Sequence, residues 1–411
     1  VQVLLFDDER VPGLHPLTLT RPAGDLRVGI LTVREKWEQR LRVPVGHWAG
    51  AQYLRAKFNG LTQDADVLLI NGRFLPSHEW LDRLIPALGP GEAWHEANGN
   101  VLAARLDRTQ LSFLRGYMDV VAFDAQVRLR LWRWTEPPRE LERPTDIFRY
   151  TGPEIRRDFA LLTRGKTSSP LDDPHTRIYR PEWVFAEPGV KLRAAVLNAE
   201  DGPIYLGHHA DIQEGALIHG AHAILEHAVV NMGAKLRGDS SIGPYCKVGG
   251  EISNSVLWGY SNKAHDGFLG NSVLGQWCNL GADTNTSNLK NTYGTVALYD
   301  YLTQAPADTG LTFAGLIMGD HSKAGINTMF NTGTVVGVAS NVFGGGFPPK
   351  WVPSFRWGSE SGFGSAPQWA EHDLTKALET AERVMARRGH HLDPTEHAIL
   401  HAVYALSQQG Y

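Results

Sequence analysis

The chain has 411 residues, of which 42% are apolar and 20% charged, with a formal net charge of −4. That length exceeds what one compact core accommodates and points to two or three domains, while the mildly acidic balance gives neither nucleic acid nor an anionic membrane a reason to bind. No run approaches the ~20 apolar residues of a membrane-spanning helix, residues 1–10 lack a signal-peptide pattern, and two cysteines make no disulfide framework, so a cytoplasmic protein with reduced core thiols is expected.

Residues 1–6 form an apolar run, apart from Gln2, that ends in Asp7 and Asp8. It reads as a buried first strand whose carboxyl end faces a ligand crevice. Residues 66–71 are a second such run. Gly72 follows, and Ser77 is placed to cap a helix over 78–87. Strands alternating with helical patterns argue for an α/β domain over residues 1–190 with a mostly parallel sheet. Residues 164–182 are polar and turn-rich and read as a linker.

From Leu206 onward the chain repeats every six residues. Aliphatic residues return at Leu206, Ile212, Ile218, Ile224, Val230, Leu236, Ile242 and Val248, with small residues four positions later at Ala210, Ala216, Ala228, Ala234, Ser240 and Cys246. The phase resumes at Phe268, Leu274 and Leu280, then at Met318, Ala324, Phe330, Val336 and Val342. A hexapeptide period means a parallel β-helix: each unit gives one short strand and one corner, and three units close a triangular coil. The β-helix is assigned to residues 195–365, with an insertion near 289–316. Beyond Pro367 the pattern turns helical, so 366–411 form a C-terminal helical segment. Asp393, Pro394 and Glu396 supply a cap, a first-turn proline and a capping-box glutamate. The last helix would cover the open end of the coils or a subunit contact.

Motifs sharpen this order of domains. Ser261-Asn262-Lys263-Ala264-His265-Asp266-Gly267-Phe268-Leu269-Gly270, Leu274-Gly275-Gln276-Trp277-Cys278-Asn279-Leu280-Gly281-Ala282 and Thr286-Ser287-Asn288-Leu289 resemble the acetyltransferase half of bifunctional UDP-N-acetylglucosamine pyrophosphorylase/glucosamine-1-phosphate N-acetyltransferases. Gly319-Asp320-His321 and Gly325-Ile326-Asn327 resemble the coils after the inserted loop of those enzymes. Pro16-Leu17-Thr18-Leu19-Thr20-Arg21-Pro22, Leu26-Arg27-Val28-Gly29-Ile30-Leu31-Thr32 and Asp158-Phe159-Ala160-Leu161-Leu162-Thr163 resemble a divergent bacterial branch of sugar nucleotidylyltransferases.

The resemblance implies an α/β nucleotidylyltransferase-like (Rossmann-like) domain followed by a left-handed parallel β-helix with a C-terminal helical cap. It implies acetyl transfer from acetyl-CoA to an amino-sugar 1-phosphate in a homotrimer, with His265 as general base. Histidine titrates in the range that task needs. By the same resemblance Asn279 and Asn288 contact the amino sugar or hold the transition state, and Arg237 binds phosphate, which a guanidinium suits. Arg21, Arg27, Lys36 and Asp158 are the nucleotide-binding candidates, with UTP and Mg²⁺ as further requirements if that domain transfers nucleotide.

Several positions depart from the family pattern. A lysine expected around residues 312–316 is missing, and Asp7-Asp8-Glu9-Arg10 stand where a glycine-rich phosphate loop is usual. Arg73 follows Asn71-Gly72 where a metal aspartate is usual, and Thr151 replaces an asparagine. Read without the resemblance, His265 is a surface histidine, Asn279 and Asn288 are corner asparagines bonding to nearby backbone, and Arg237, Arg27 and Lys36 are solvated charges.

Two other functions stay open. One is a zinc-dependent enzyme like the γ-class carbonic anhydrases, drawing on His208, His209, His219, His222 and His227. The other is a trimeric scaffold that binds nucleotide sugars without turnover.

Overall fold

A computed structural model of the chain describes every residue except 59, 61–65, 78–79, 97–98, 108, 111–128, 136–138, 361–367 and 411. The N-terminal domain is built on strands β1 (Gln2–Phe6), β2 (Val45–Trp48), β3 (Val67–Asn71), β4 (Glu92–His95), β5 (Val101–Leu106) and β6 (Arg130–Arg133). Their order across the sheet is β2-β1-β3-β5-β4-β6. β1 runs parallel to both β2 and β3 and β6 parallel to β4, whereas β5 is antiparallel to β3 and β4. Alternation along β1 sends Leu4 and Phe6 into one core layer and Val3 and Leu5 into the other. Between β1 and β2 lies the helix Val33–Leu41, whose Thr32 and Glu35 form a reciprocal capping box. The helix expected over 78–87 is reduced. His78 and Glu79 lie outside the described residues, and Trp80–Leu84 make one wide π-type turn before Pro86, which cannot continue a helix.

The coils begin at Arg177–Tyr179, ahead of residue 195, and their strands line up into faces of six, nine and ten strands. On the second face Leu206, Ile224, Ile242, Leu257 and Leu274 stand in register, followed by Met318, Val336 and Val352. All of these fill one apolar column with Ala210, Ala216, Ala228 and Ala234 at its corners. Cys246 and Cys278 are buried free thiols in the same column, both pushed up to about 12 by burial.

Phe268 is not the anchor assigned to it. Leu269 pairs with Ile252 and enters the core, while Phe268 pairs with Glu251. The coils shorten after Val248, with core residues at Ile252 and Leu257, and a strand's side chains change face with every residue of shift.

One corner repeats a left-handed backbone on non-glycine residues. His209, His227, Tyr245, Tyr260, Trp277 and His321 have φ between 53° and 61°. Their rings stack as a ladder, with centroids 4.9 Å apart for His209–His227, 4.7 Å for His227–Tyr245, 5.0 Å for Tyr245–Tyr260 and 4.2 Å for Tyr260–Trp277. Such pairs contribute about 0.5–1.5 kcal/mol each beyond their burial, which offsets the steric cost of the left-handed corner.

The two domains share a core. Val256, Val273, Ile317 and Val335 of the second face pack with Val3, Leu5, Leu17 and Phe148 of the N-terminal domain. The helix Pro144–Leu162 lies across the strands His222–Ile224, Ser240–Ile242, Val256–Gly259 and Val273–Gln276. The segment after it docks as well: the Ser169 amide donates to the Ala186 carbonyl at 2.8 Å, and Leu171 packs on the column. The helices Leu374–Ala386 and Pro394–Ser407 wedge between Leu19, Ala49 and Leu54 of the N-terminal domain and Val338, Ala339 and Phe355 of the last coils. Asp393 caps the second helix as its sequence requires, with Pro394 in the first turn. Trp369, on the strand Gln368–Glu371, packs against the column itself. Pro367, where the helical pattern was expected to start, lies outside the described residues.

Candidate functional site

His265 lies on the corner between the strands Asn262–Lys263 and Phe268–Gly270 and is exposed. Among the described residues no side chain hydrogen-bonds its ring. Its backbone is held, since its carbonyl accepts the buried Lys263 Nζ at 2.5 Å. Asn279 sits one coil away, in register with Asn262, and the Asn262 Nδ2 donates to Asn279 Oδ1 at 3.4 Å. Arg388, at the end of the first C-terminal helix, donates to Asn262 Oδ1 at 3.1 Å.

Asn288 belongs to a different corner, donating from Nδ2 to Asn271 Oδ1 at 2.8 Å. Arg237 stands on the six-stranded face, two-thirds exposed, with its Nε 2.7 Å from Glu251 Oε1. Within one chain Asn279, Asn288 and Arg237 therefore bond to other partners and are not drawn into one cluster with His265.

The nucleotide-binding candidates are all interior. Arg21 is 3% exposed, pairs with Asp320 of the β-helix, reaches Gln276 Oε1 at 3.3 Å and lies 4.2 Å over the Trp258 ring. Arg27 donates to the Ile30 carbonyl at 2.5 Å. Lys36 is fully buried between Glu154 at 2.9 Å and Asp158 at 2.5 Å. Asp158 also accepts the Ile30 and Leu31 amides at 3.1 and 3.2 Å, and burial pushes its carboxyl up. Thr151 is buried and returns its hydroxyl to the Ile147 carbonyl at 2.8 Å, so it is helix interior.

β1 has β2 on one side and β3 on the other, so the chain reverses direction beside β1, and a ligand of such a sheet sits at the carboxyl ends of β1 and β3. Asp8 and Arg73 meet there. Arg73 is fully buried, grips both Asp8 oxygens (Nε–Oδ1 2.7 Å, Nη2–Oδ2 2.5 Å) and pairs with Glu140. Burial raises the Asp8 carboxyl, but the Arg73 hydrogen bonds outweigh it and hold the group below the usual carboxylate range. Asp7, pushed up to about 7 by burial, accepts the Ala23 and Gly50 amides at 3.0 and 3.1 Å. A cleft of about 250 Å³ opens beside this network. It lies between Arg10, Arg73 and Arg143 on one side and, on the other, the hairpin strands Ala297–Asp300 and Ala305–Asp308 inserted in the β-helix. Mg²⁺ does not fit this donor set as it stands, because the carboxylates that would ligate it are bound to Arg73 and to backbone amides.

The histidines of the first coils do different jobs. His222 is fully buried, His209 and His227 stack in the corner ladder, and His219 pairs with Asp201 at 2.9 Å. Among the described residues no three of His, Cys, Asp and Glu gather in a metal-binding group. No helix among them is long and apolar enough to cross a membrane.

Sequence reading marked Asp8 and Arg73 as departures from the family pattern but missed that they pair with each other and with Glu140. It also missed the ladder, although His209, His227 and Tyr245 recur every eighteen residues, one coil apart.

Residues 3–167 match the family described as sugar nucleotidyl transferase. With the fold, this gives the class: a domain similar to sugar nucleotidyl transferases, packed on a hexapeptide parallel β-helix. The chain is a divergent likeness of the bifunctional proteins GlmU. It is 28% identical over 179 residues to GlmU of Synechococcus elongatus, covering 41% of this chain and 35% of that protein. It is 31% identical over 121 residues to GlmU of Trichodesmium erythraeum, covering 29% and 22%. The chain thus spans about a third or less of the length of these curated relatives. A solved structure of the polySia specific acetyltransferase NeuO overlaps 52% of this chain and 94% of its own at 13% identity and a TM-score of 0.29, too loosely to carry an argument.

Proposed function

We propose that the chain is a sugar-phosphate transferase of amino-sugar nucleotide biosynthesis, acting in the cytoplasm as a homotrimer. Its leading reaction is acetylation of glucosamine 1-phosphate, or a related amino-sugar phosphate, by acetyl-CoA. The observation that carries this reading is the exposed imidazole of His265. It stands on a fixed corner of the segment that resembles the acetyltransferase half of those bifunctional enzymes, while the N-terminal domain covers the second face.

The imidazole takes a proton from the amine as its nitrogen attacks the thioester carbonyl carbon. The tetrahedral oxyanion then collapses, the C–S bond breaks, and the imidazolium returns its proton to the departing thiolate, leaving an amide and free coenzyme thiol. Asn279 and Asn288 contact the sugar or the oxyanion, and Arg237 exchanges Glu251 for the sugar phosphate. Asn279, Asn288 and Arg237 bond elsewhere within one chain, so the site draws on a neighbouring copy, as the trimer supplies. The test is thiol release by the native chain with glucosamine 1-phosphate as acceptor. Release that is equally fast with N-acetylglucosamine 1-phosphate, which has no free amine, refutes amine acetylation.

Uridylyl transfer from UTP to the acetylated sugar 1-phosphate is the second activity the family match supports. The Asp8–Arg73 lock at the switch point favours the opposing reading, in which the N-terminal domain binds nucleotide sugar, or only supports the β-helix, without turnover. Pyrophosphate release from UTP and N-acetylglucosamine 1-phosphate distinguishes the two.

A further inference from the structure

Lys263 stands at a core position of the β-helix. The register puts it on Val248, and the pairing of Asn262 with Asn279 puts Leu280 in the coil above. It is 1% exposed in a column otherwise filled by apolar residues. Packing alone calls for a valine or leucine there, because a buried ammonium costs several kcal/mol unless it is fully hydrogen-bonded. The ammonium is used up on backbone carbonyls: His265 at 2.5 Å, Asp266 at 3.1 Å and Gly249 at 3.4 Å. Two of those three carbonyls belong to the corner that carries His265.

The same corner is held from outside. Asn231, two coils below, donates from Nδ2 to the Ala264 carbonyl at 2.7 Å. It reaches that far because the intervening corner is Gly249-Gly250. A Cβ on Gly249 would lie 2.2 Å from the Ala264 carbonyl oxygen, and one on Gly250 2.6 Å from that of Gly267, where φ of Gly250 is +67°. Three features thus converge on residues 264–266: an interior ammonium, an exterior amide and a glycine pair that lets the coil above settle onto them.

We infer that Lys263 and Asn231 are positioning residues for the proposed acetyl transfer, clamping the backbone of residues 264–266 so that the exposed His265 ring is presented at a fixed height above the coil. This rests on His265 being the base. The clamp acts on main chain only and leaves the imidazole without a side-chain partner among the described residues, which is what a group that must take and return a proton requires. A misplacement of about 1 Å can cost on the order of a hundredfold in rate, so the clamp should appear in kcat and not in binding.

The experiment compares native chain, Lys263→Met, Asn231→Ala and His265→Ala, using acetyl-CoA and glucosamine 1-phosphate. Amide hydrogen exchange over residues 264–268 is followed on the same samples without substrate. Lys263→Met keeps the side-chain length and removes the donors, and Asn231→Ala is a corner change that the column does not feel if Lys263→Met fails to fold. The expected result is a kcat lower by roughly tenfold or more, both KM values within about twofold, and faster exchange confined to 264–268. Native kcat in both clamp variants, with His265→Ala inactive, overturns the inference. If His265→Ala turns over normally, the base assignment falls instead. The exchange data then decide the clamp alone, and unchanged protection in both variants overturns it.

Discussion

The His265 corner and the switch point of the N-terminal domain handle their polar groups in opposite ways. At the corner the structure spends its hydrogen bonds on main chain and leaves the imidazole in solvent. At the switch point side chains satisfy one another: Asp8 and Glu140 bind Arg73, and deeper in the domain Lys36 binds Glu154 and Asp158. A free functional group on a fixed frame is ready for substrate. A closed set of ion pairs first has to open, which costs the energy of every buried contact broken. The contrast explains why acetyl transfer leads the functional reading and nucleotidyl transfer follows.

A fall in pH should change stability more than any single substitution. Burial holds His15, His47 and His321 down to about 3 and His222 to about 4. Their folded values lie below the unfolded value of about 6.5, so stability is fully present above that pH and is lost as pH falls toward 3–4. Asp7 and Asp25, raised to about 7 and about 6, act in the other sense: their contribution is present below pH ~4 and lost as pH rises through 6–7. With these four histidines against the two carboxyls, unfolding free energy should drop by several kcal/mol between pH 6.5 and 4. Denaturant titrations at a series of pH values check this, and a flat profile would mean the buried histidines are already paired or charged.

Arg73→Met sharpens the contrast next. Removing the cation leaves Asp8 and Glu140 unpaired, and a loss of about 3–5 kcal/mol in unfolding free energy is expected. The exposed pair of Arg237 with Glu251 gives the smallest change. Arg237→Ala should alter stability by less than about 0.5 kcal/mol. Its KM for the sugar phosphate should rise roughly tenfold, the scale of one charge-assisted hydrogen bond.

The β-helix was legible because its signal is local and repeated: an aliphatic residue every six positions needs no knowledge of distant partners. It misled at Phe268, where shortened coils moved the phase by one residue, and it hid Lys263, which sits in the core phase but is not aliphatic. The N-terminal network was not legible in this way. Arg21 meets Asp320 across 299 positions, Lys36 meets Asp158 across 122 and Arg73 meets Asp8 across 65, and no local pattern marks such pairs. Arg21, Arg27 and Asp158 stood out in motifs and Lys36 as a candidate beside them, but nothing local showed that each is already engaged inside the protein. The packing of the N-terminal domain along a β-helix face was equally hidden, since it depends on Val256, Val273, Ile317 and Val335, which read locally as ordinary coil residues.

The central claim is that the free imidazole of His265 performs acetyl transfer. Thiol release from acetyl-CoA, driven by glucosamine 1-phosphate, should fall by about 10²–10⁴-fold in His265→Ala, with the melting temperature and oligomeric state of the native protein retained. Native turnover in that variant would contradict the account.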